Sequence, residues 1–448
     1  MTPSERDRLI EAMVERYRKV LEQRVPRGPK TLDEIEQTVE EVSVEMEQEL
    51  ERRILEQQES LPDWPDNQVR CACGAMARFR ERRLRVLVTR HGEGYLQRRY
   101  YYCSACRSGF APLDQQLGLD QGATTTQVRV WVATLGAYLP FAEAAIALEQ
   151  LTGVRLGPST VERVTLSVGA SVCQARRQRS EQHRQGILGQ PSLKPSRLYI
   201  GMDGKMVPLR DPWKRDGSAG KLTCRWAECK AGVVYQAFSS AQGDRGVERR
   251  AYVATLAKAA PFGQQLATVA HEQGVHWAKE VVVLGDGAAW IWQIAASQFP
   301  EAIQIVDFFH ASEHLWAVAR EWFGPESEAA KTWVKARQEE LRQDSVAAVL
   351  TAIRTWKPRK AERRKLRQET LHYFASNQER MRYGTFLRHG YHIGSGVVEA
   401  TCKLVIGNRL DRAGMHWREA SAEAVVNLRA ALLSADGLDL RPHCAAAH

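Results

Sequence analysis

Arg197-Leu-Tyr-Ile-Gly-Met-Asp-Gly-Lys-Met-Val-Pro-Leu209 and Glu280-Val-Val-Val-Leu-Gly-Asp-Gly-Ala-Ala-Trp-Ile291 decide how this chain folds. The first alternates as a half-buried strand does, with Asp203 inside it or at a bulge made by Gly204. The second has a continuous apolar run from Val281 to Leu284, the mark of a strand buried on both faces, and Asp286 stands at its carboxyl end before a helix. Between them a strand is expected at Arg225 to Phe238 and a helix from Arg249 to Gln273. Beyond them a strand from Ala302 to Val306 ends at Asp307-Phe-Phe-His310. Two hairpin strands, a helix and further strands describe an α/β fold with a mixed sheet covered by helices.

Aspartates at strand ends commonly serve as turn or helix caps. Asp286 differs in being flanked by Gly285 and Gly287, which allow a ligand to approach the backbone. A third carboxylate comes from His392-Ile-Gly-Ser-Gly-Val-Val-Glu-Ala-Thr-Cys-Lys403, where a Gly-rich turn opens a helix. Glu399 lies in its first turns, on the side shared by Lys403 at i+4. Asp203, Asp286 and Glu399 together suit hard divalent cations, Mg²⁺ or Mn²⁺. Two such ions can clamp the attacking and leaving oxygens of phosphodiester transfer, with water or a DNA 3′-hydroxyl as nucleophile.

The composition agrees with a nucleic-acid substrate. Across 448 residues, 63 Lys and Arg oppose 53 Asp and Glu, a net charge of +10. Residues 31–60 hold eleven acidic side chains against two arginines, so the rest of the chain is more basic than the total suggests. Apolar residues at 44% and charged residues at 26% are those of a folded, water-soluble chain, long enough for about three domains. The most apolar stretch, Val130 to Leu148, is broken by Gly136, Pro140 and Glu143, and the amino terminus has no signal-peptide core. Neither a membrane nor a secretion route is expected. Nine cysteines without a leader fit a reducing cytosol.

Four of those cysteines cluster. Cys71, Cys73, Cys103 and Cys106 flank a predicted hairpin, Leu84 to Arg90 and Tyr95 to Tyr102, with a turn at Gly92-Glu-Gly94. Four thiolates at paired short spacings suit a structural Zn²⁺ in a zinc ribbon; four buried unligated thiols are the alternative. Ahead of this module residues 1–60 read as helix, with Leu32, Ile35, Val39, Val42, Met46, Leu50 and Ile54 on one stripe. The stripe serves either its own domain or an oligomerisation seam. Leu61-Pro-Asp-Trp-Pro-Asp66 ends the helix. After the module, Pro140 to Gly153 and Pro158 to Thr165 make a helix-turn-helix pattern, or a plain helical hairpin. In the DNA-binding reading Ser159, Thr160 and Arg163 lie early on the recognition helix.

Met202-Asp-Gly-Lys205, Gly285-Asp-Gly-Ala288, Asp307-Phe-Phe-His310, Gly394-Ser-Gly-Val-Val-Glu-Ala400 and Asn408-Arg-Leu-Asp-Arg-Ala-Gly-Met-His-Trp417 resemble, in this order, the ISKra family of bacterial insertion-sequence transposases. More distantly they resemble the Mutator superfamily. The resemblance implies a DDE transposase with an RNase H-like catalytic domain, in which Asp203, Asp286 and Glu399 are the catalytic trio holding two Mg²⁺ ions. It implies supporting roles for Asp307 and His310, His310 either orienting a scissile phosphate or a carboxylate or being a satisfied core histidine. It also implies an all-helical insertion in the 88 residues between His310 and Glu399.

Within that insertion Arg354, Lys357, Arg359, Lys360, Arg363 and Arg364 form a basic run suited to DNA phosphates, although such runs are often only a solvated face. Lys403, Arg409, Arg412, His416, Trp417 and Arg418 follow Glu399. Basic groups beside an aromatic ring suit a splayed DNA end, and Trp417 is either a stacking platform or a core anchor. The expected plan is a helical region at 1–62, a zinc ribbon at 63–115 and a helix-turn-helix at 116–172. A linker at 173–195 leads to catalytic parts at 196–314 and 389–436 around the insertion 315–388, with a tail at 437–448. The expected function is cleavage of element ends and strand transfer into double-stranded target DNA, by a homodimer or larger synaptic assembly, in the bacterial cytoplasm at the nucleoid. A regulatory DNA-binding protein without cleavage, or an RNase H-like nuclease without strand transfer, are the alternatives.

Overall fold

The computed structural model describes residues 3–25, 30–60, 67–119, 122–210, 215–216, 221–222, 224–239, 245–325 and 327–444. The chain forms two compact units, Met1–Val168 with Asp439–His448, and Gly169–Leu438.

The first unit begins with two helices, α1 (Pro3–Arg24) and α2 (Leu32–Ser60), where one was expected. They are joined by ion pairs of Arg16 with Glu45 and of Arg24 with Glu41 and Glu45. Of the predicted stripe only Val42 is deeply buried, while Leu32, Ile35 and Val39 remain exposed. The Pro-rich break at 61–66, and with it the expected boundary at 62, lies outside the described residues. A four-stranded antiparallel sheet follows in sequential order: β1 (Gln68–Arg70), β2 (Met76–Thr89), β3 (Gly92–Cys103) and β4 (Ser108–Phe110). Helices α3 (Pro112–Gln116), α4 (Thr126–Tyr138), α5 (Phe141–Thr152) and α6 (Pro158–Arg184) come next. Gly153, at φ 71°, ends α5 in the left-handed conformation that glycine adopts without steric cost.

Two expectations fail here. Residues 174–184, read as linker, are the last turns of the 27-residue α6. Arg176, deep within them, donates to the Tyr252 carbonyl at 3.1 Å. Residues 441–444, read as tail, form a short helix with Cys444 buried. In both places contacts distant in sequence, of Arg176 with Tyr252 and of the buried Cys444, accompany a helix that the local sequence did not announce.

The second unit is built on a five-stranded mixed sheet. Its first strand, β5 (Arg197–Leu209), is followed by the small ribbon β6 (Arg215–Asp216) and β7 (Lys221–Leu222), then by β8 (Arg225–Ser239) and β9 (Arg245–Thr255). The meander β5, β8 and β9 is antiparallel. After α7 (Ala259–Glu272), β10 (Glu280–Gly285) returns parallel to β5 on its other side. After α8 (Ala289–Gln298), β11 (Ile303–Val306) adds parallel to β10. The spatial order is therefore β11, β10, β5, β8, β9, with β5 in the centre.

The helix predicted from Arg249 begins only at Ala259, because residues up to Thr255 pair with β8, from Phe238↔Gly246 to Lys230↔Thr255. Of the two readings of Asp203, inside the strand or at a bulge made by Gly204, the first holds: β5 pairs with β8 without a register shift from Leu198↔Gln236 to Leu209↔Arg225. Gly204 instead makes room for a neighbour: a Cβ there would come 2.4 Å from the Glu228 carboxylate.

Between β11 and the helix carrying Glu399 the described residues include no strand. They form α9 (Phe308–Phe323), α10 (Glu328–Arg342), α11 (Val346–Thr355), α12 (Ala361–Ser376) and α13 (Tyr383–Arg388). The chain then returns through α14 (Gly396–Thr401), a π-helical segment Cys402–Gly407, α15 (Asn408–Leu410) and α16 (Glu419–Leu433), while α17 (Arg441–Cys444) belongs to the first unit.

Candidate active site

Alternate side chains of a strand share a face, so Tyr199, Gly201, Asp203 and Lys205 point to one side of β5. Each meets the returning chain in turn. Tyr199 stacks on His392 with ring centroids 5.1 Å apart. A Cβ on Gly201 would come 2.3 Å from Val398. Asp203 accepts a hydrogen bond from the Cys402 thiol, and Lys205 pairs with Asp411 at 2.9 Å. This four-rung ladder seats α14 and the π-helical segment over the central strand. Extra-wide π turns cluster at functional sites. Here Arg429, buried on α16, donates to the carbonyls of Leu404 (2.5 Å) and Val405 (3.0 Å) and so supports the segment from behind.

Asp203 is half-buried. Burial pushes its carboxyl above the ordinary carboxylate value, and the neighbouring charge of Asp286 adds to the rise. The Cys402 thiol, the Gly204 N–H at 2.6 Å and His310 pull it down in part. Asp286 follows β10, the parallel neighbour of β5. Its carboxylate accepts from the Ala288 N–H at 2.8 Å, and its backbone carbonyl accepts from the Tyr373 hydroxyl at 2.8 Å. The space expected for a ligand at the flanking glycines is taken by the protein itself. A Cβ on Gly285 would meet Ile291 at 2.8 Å, and one on Gly287, which has φ 107°, would meet Tyr373 at 2.5 Å.

Tyr373 also stacks on His314, with centroids 3.9 Å apart, and His314 lies edge-on to His310. Burial, then the neighbouring His310, holds the His314 imidazole below its ordinary value. Burial, then the charges of Asp286 and Asp307, raises the Tyr373 hydroxyl well above its own. Neither ring was legible as part of the site in the sequence. Asp307 caps α9 and is buried, whereas His310 is part-exposed and near Glu313 at 3.2 Å. Beside Asp286 and these rings lies a cleft of about 610 Å³ lined by Gly287, Trp292, His372, Tyr373, Asn377 and Arg380.

Glu399 is exposed on α14. Among the described residues, two sets of three or more metal-ligating side chains bring ligand atoms within 4.8 Å of one another, and Asp203, Asp286 and Glu399 do not form one of them. Two carboxylates are thus drawn near each other at the sheet, and the third stands on the helix packed over it. The cysteines do converge. Cys71 and Cys106 have their sulfurs 3.6 Å apart, as do Cys73 and Cys103, close to the edge of about 3.8 Å in a tetrahedral Zn–S₄ centre. The Ser108 hydroxyl and N–H pull the Cys106 thiol down to about 6, whereas Cys73, although the Ala75 N–H lowers it, is pushed up to about 11 by its hydrogen bonds with Cys103 and Cys106.

The remaining predicted contacts divide by exposure. Ser159 and Arg163 are exposed and Thr160 is part-buried on the first turns of α6. Arg354, Lys357, Arg359, Lys360 and Arg364 are exposed around the α11–α12 connection, with Arg363 paired to Glu321 at 2.7 Å. Lys403, Arg412, His416 and Arg418 are exposed. Arg409 and Trp417 are not: both are buried, with the guanidinium 4.7 Å over the indole, whose N–H donates to the Leu410 carbonyl. Trp417 also bridges to β5 through Arg210 and Pro208. Both side chains are packed inside the fold, as the core-anchor reading of Trp417 has it.

No helix among the described residues is long and apolar enough to cross a membrane. No curated protein matches the chain. A chain of the Drosophila P element transposase strand transfer complex is similar over 71% of this chain and 81% of its own, at 9% identity and a TM-score of 0.24, an overlap too loose to carry an argument. Residues 27–444 match the uncharacterised protein family UPF0236, and the chain belongs to that family.

Proposed function

We propose that this protein is a metal-dependent DNA transposase of an insertion sequence, cutting element ends and joining them to target DNA. The observation that carries the reading is the ladder on β5. It sets Asp203 on the central strand beside Asp286 of the parallel neighbour, and seats the helix of Glu399 across the same face. A three-strand antiparallel meander extended by two parallel strands next to the first is the strand order of an RNase H-like domain, and the helices from α9 to α13 occupy the place of the insertion. The five motifs resembling ISKra transposases support the same assignment.

Two Mg²⁺ or Mn²⁺ ions at Asp203, Asp286 and Glu399 would supply Lewis acidity to the scissile phosphate and its nucleophile. The part-buried Asp203 and its neighbour Asp286 place two negative charges close together, a combination that a cation relieves. Glu399, exposed on α14, would complete the set as DNA arrives. His310 would orient the phosphate, and the exposed basic groups at 354–364 and 403–418 would hold the backbone. Zn²⁺ at Cys71, Cys73, Cys103 and Cys106 would hold the β1–β4 module together. Ser159, Thr160 and Arg163 are the proposed readers of the ends. Two ends must react together, so a homodimer or larger synaptic assembly is proposed, with the exposed apolar residues of α1 and α2 as its contact. Its place of work would be the bacterial nucleoid.

The test is an in vitro reaction of the purified protein with a supercoiled donor bearing the native flanking DNA, wild type beside Asp286→Asn, with Mg²⁺. Joined products from the wild type alone support the proposal. Cutting without joining would make the protein a nuclease, and binding without cutting a regulatory DNA-binding protein.

A further inference from the structure

A second cluster of ligand-type side chains lies in the same unit, on residues for which the proposed function has no use. His183 from the end of α6, His271 from the end of α7 and His276 from the 3-10 turn Val275–Trp277 each bring a ring nitrogen within 4.8 Å of the others. The ring centroids are 4.8 Å apart for His183 and His271 and 5.2 Å for His271 and His276.

The surroundings set which nitrogens are free. His271 is buried, with 5% of its surface exposed, and its Nε2 lies 3.0 Å from the Gly189 carbonyl, an acceptor. Nε2 therefore carries the hydrogen and Nδ1 the lone pair, and Nδ1 is buried with no hydrogen-bond partner. A buried acceptor without a partner costs free energy unless something fills the need. A ring N–H given to a backbone carbonyl is the arrangement that orients metal-bound histidines. In the same way His183 uses Nδ1 towards the Thr268 hydroxyl at 3.3 Å, which leaves its Nε2. His276 is exposed. The nearby Glu272 is held by Arg179 at 2.6 Å.

We propose that His183, His271 and His276 form a site for a borderline divalent transition metal such as Zn²⁺, bound through three imidazole nitrogens with water in the fourth position. Three nitrogen ligands suit Zn²⁺ rather than the oxygen-seeking Mg²⁺. The ion ties the end of α6 to the end of α7 and to the turn after it. It lies where the chain passes back to β5: a Cβ on Gly274 would come 2.2 Å from the Leu193 carbonyl oxygen. The site is independent of the carboxylate chemistry proposed above.

The experiment uses untagged full-length protein, stripped, equilibrated with Zn²⁺ and desalted, with bound metal counted by mass spectrometry. The exposed His276→Ala is paired with a His183→Ala/His276→Ala double variant, and circular dichroism checks their folding. Each should hold one ion per chain fewer than wild type, and His276→Ala should weaken the affinity at least tenfold. With Co²⁺ as probe, the variants should lose visible absorption of the nitrogen and oxygen type and retain any thiolate charge-transfer band, which Cys106→Ser removes. Equal metal content and equal Co²⁺ spectra in wild type and the double variant would overturn the proposal.

Discussion

Asp307 and Ser395, far apart in sequence, are joined through one carboxylate. One Asp307 oxygen accepts from the N–H groups of Phe309 (2.5 Å) and His310 (3.1 Å) and so caps α9. The other accepts from the Ser395 N–H at 2.7 Å and from its hydroxyl. The first helix of the helical insertion and the loop that opens α14 are thereby held by the same side chain.

Removing that link should loosen the site from behind. Asp307→Ala loses a helix cap and two bonds to a buried carboxylate, about 2–4 kcal/mol together, and Ser395→Ala should lose about 1 kcal/mol. Thermal unfolding measures both, and turnover on DNA should fall in Asp307→Ala more than binding does. Unchanged stability in Asp307→Ala would refute the capping role.

Gly201 is where α14 comes closest to β5. A Cβ there must displace Val398, and overpacking of this kind costs about 1–3 kcal/mol. Gly201→Ala should therefore lower cleavage by at least tenfold although all three carboxylates are present. Cleavage at the wild-type rate would mean that the position of α14 over β5 does not matter to the chemistry.

Asp203 gives a pH dependence with a definite sign. Its folded value lies above the unfolded one because of burial and then Asp286, so the native state binds the proton more tightly. Its ionisation thus costs stability, a cost absent below the ordinary carboxylate range and growing as pH rises through it towards the folded value. In metal-free buffer Asp203→Asn should melt higher than wild type at pH 7, and the difference should vanish in acid. Mg²⁺ should raise the melting temperature of wild type and leave Asp203→Asn unmoved.

For the cysteine module, stripping Zn²⁺ or making Cys73→Ser should remove one ion and melt the β1–β4 sheet, whose apolar core beside the thiols is small: Ala77 and Tyr101, with the partly buried Val69, Ala75, Phe79 and Phe110 packed against them. Far-ultraviolet circular dichroism and metal analysis read the two effects. A fully folded module without metal would show that the thiols serve as core residues.

The basic segment is testable through salt. Replacing Arg354, Arg359, Lys360 and Arg364 by Ala should weaken DNA binding at low ionic strength. The slope of log affinity against log salt should flatten by about 0.9 for each phosphate that is no longer neutralised. An unchanged slope would mark these side chains as a solvated face.

Much of this architecture is written locally in the chain. The alternation of Leu198 to Leu209 and the apolar run Val281 to Leu284 specify strands, and the Gly-rich turn before Val397 opens a helix whatever surrounds it. Cys71, Cys73, Cys103 and Cys106 declare their cluster through spacing alone, because a short hairpin returns the two pairs to one end. The two catalytic-candidate aspartates were legible because strand periodicity fixes where Asp203 and Asp286 stand.

Tertiary structure decided what depends on partners distant in sequence. Residues 249–255 became an edge strand because β8 offered its hydrogen bonds, and the polar residues 174–184 continue α6, with Arg176 reaching the Tyr252 carbonyl. Arg409 read as a surface group for DNA and Trp417 as either a stacking platform or a core anchor; both are packed inside, since an aromatic beside a cation has the same local signature in either place. Tyr373, His314 and Cys402 joined the carboxylates, and His183 met His271 and His276, through the meeting of separate helices. Periodicity reports which face a residue occupies on its own element; it carries no information about which other element will cover that face.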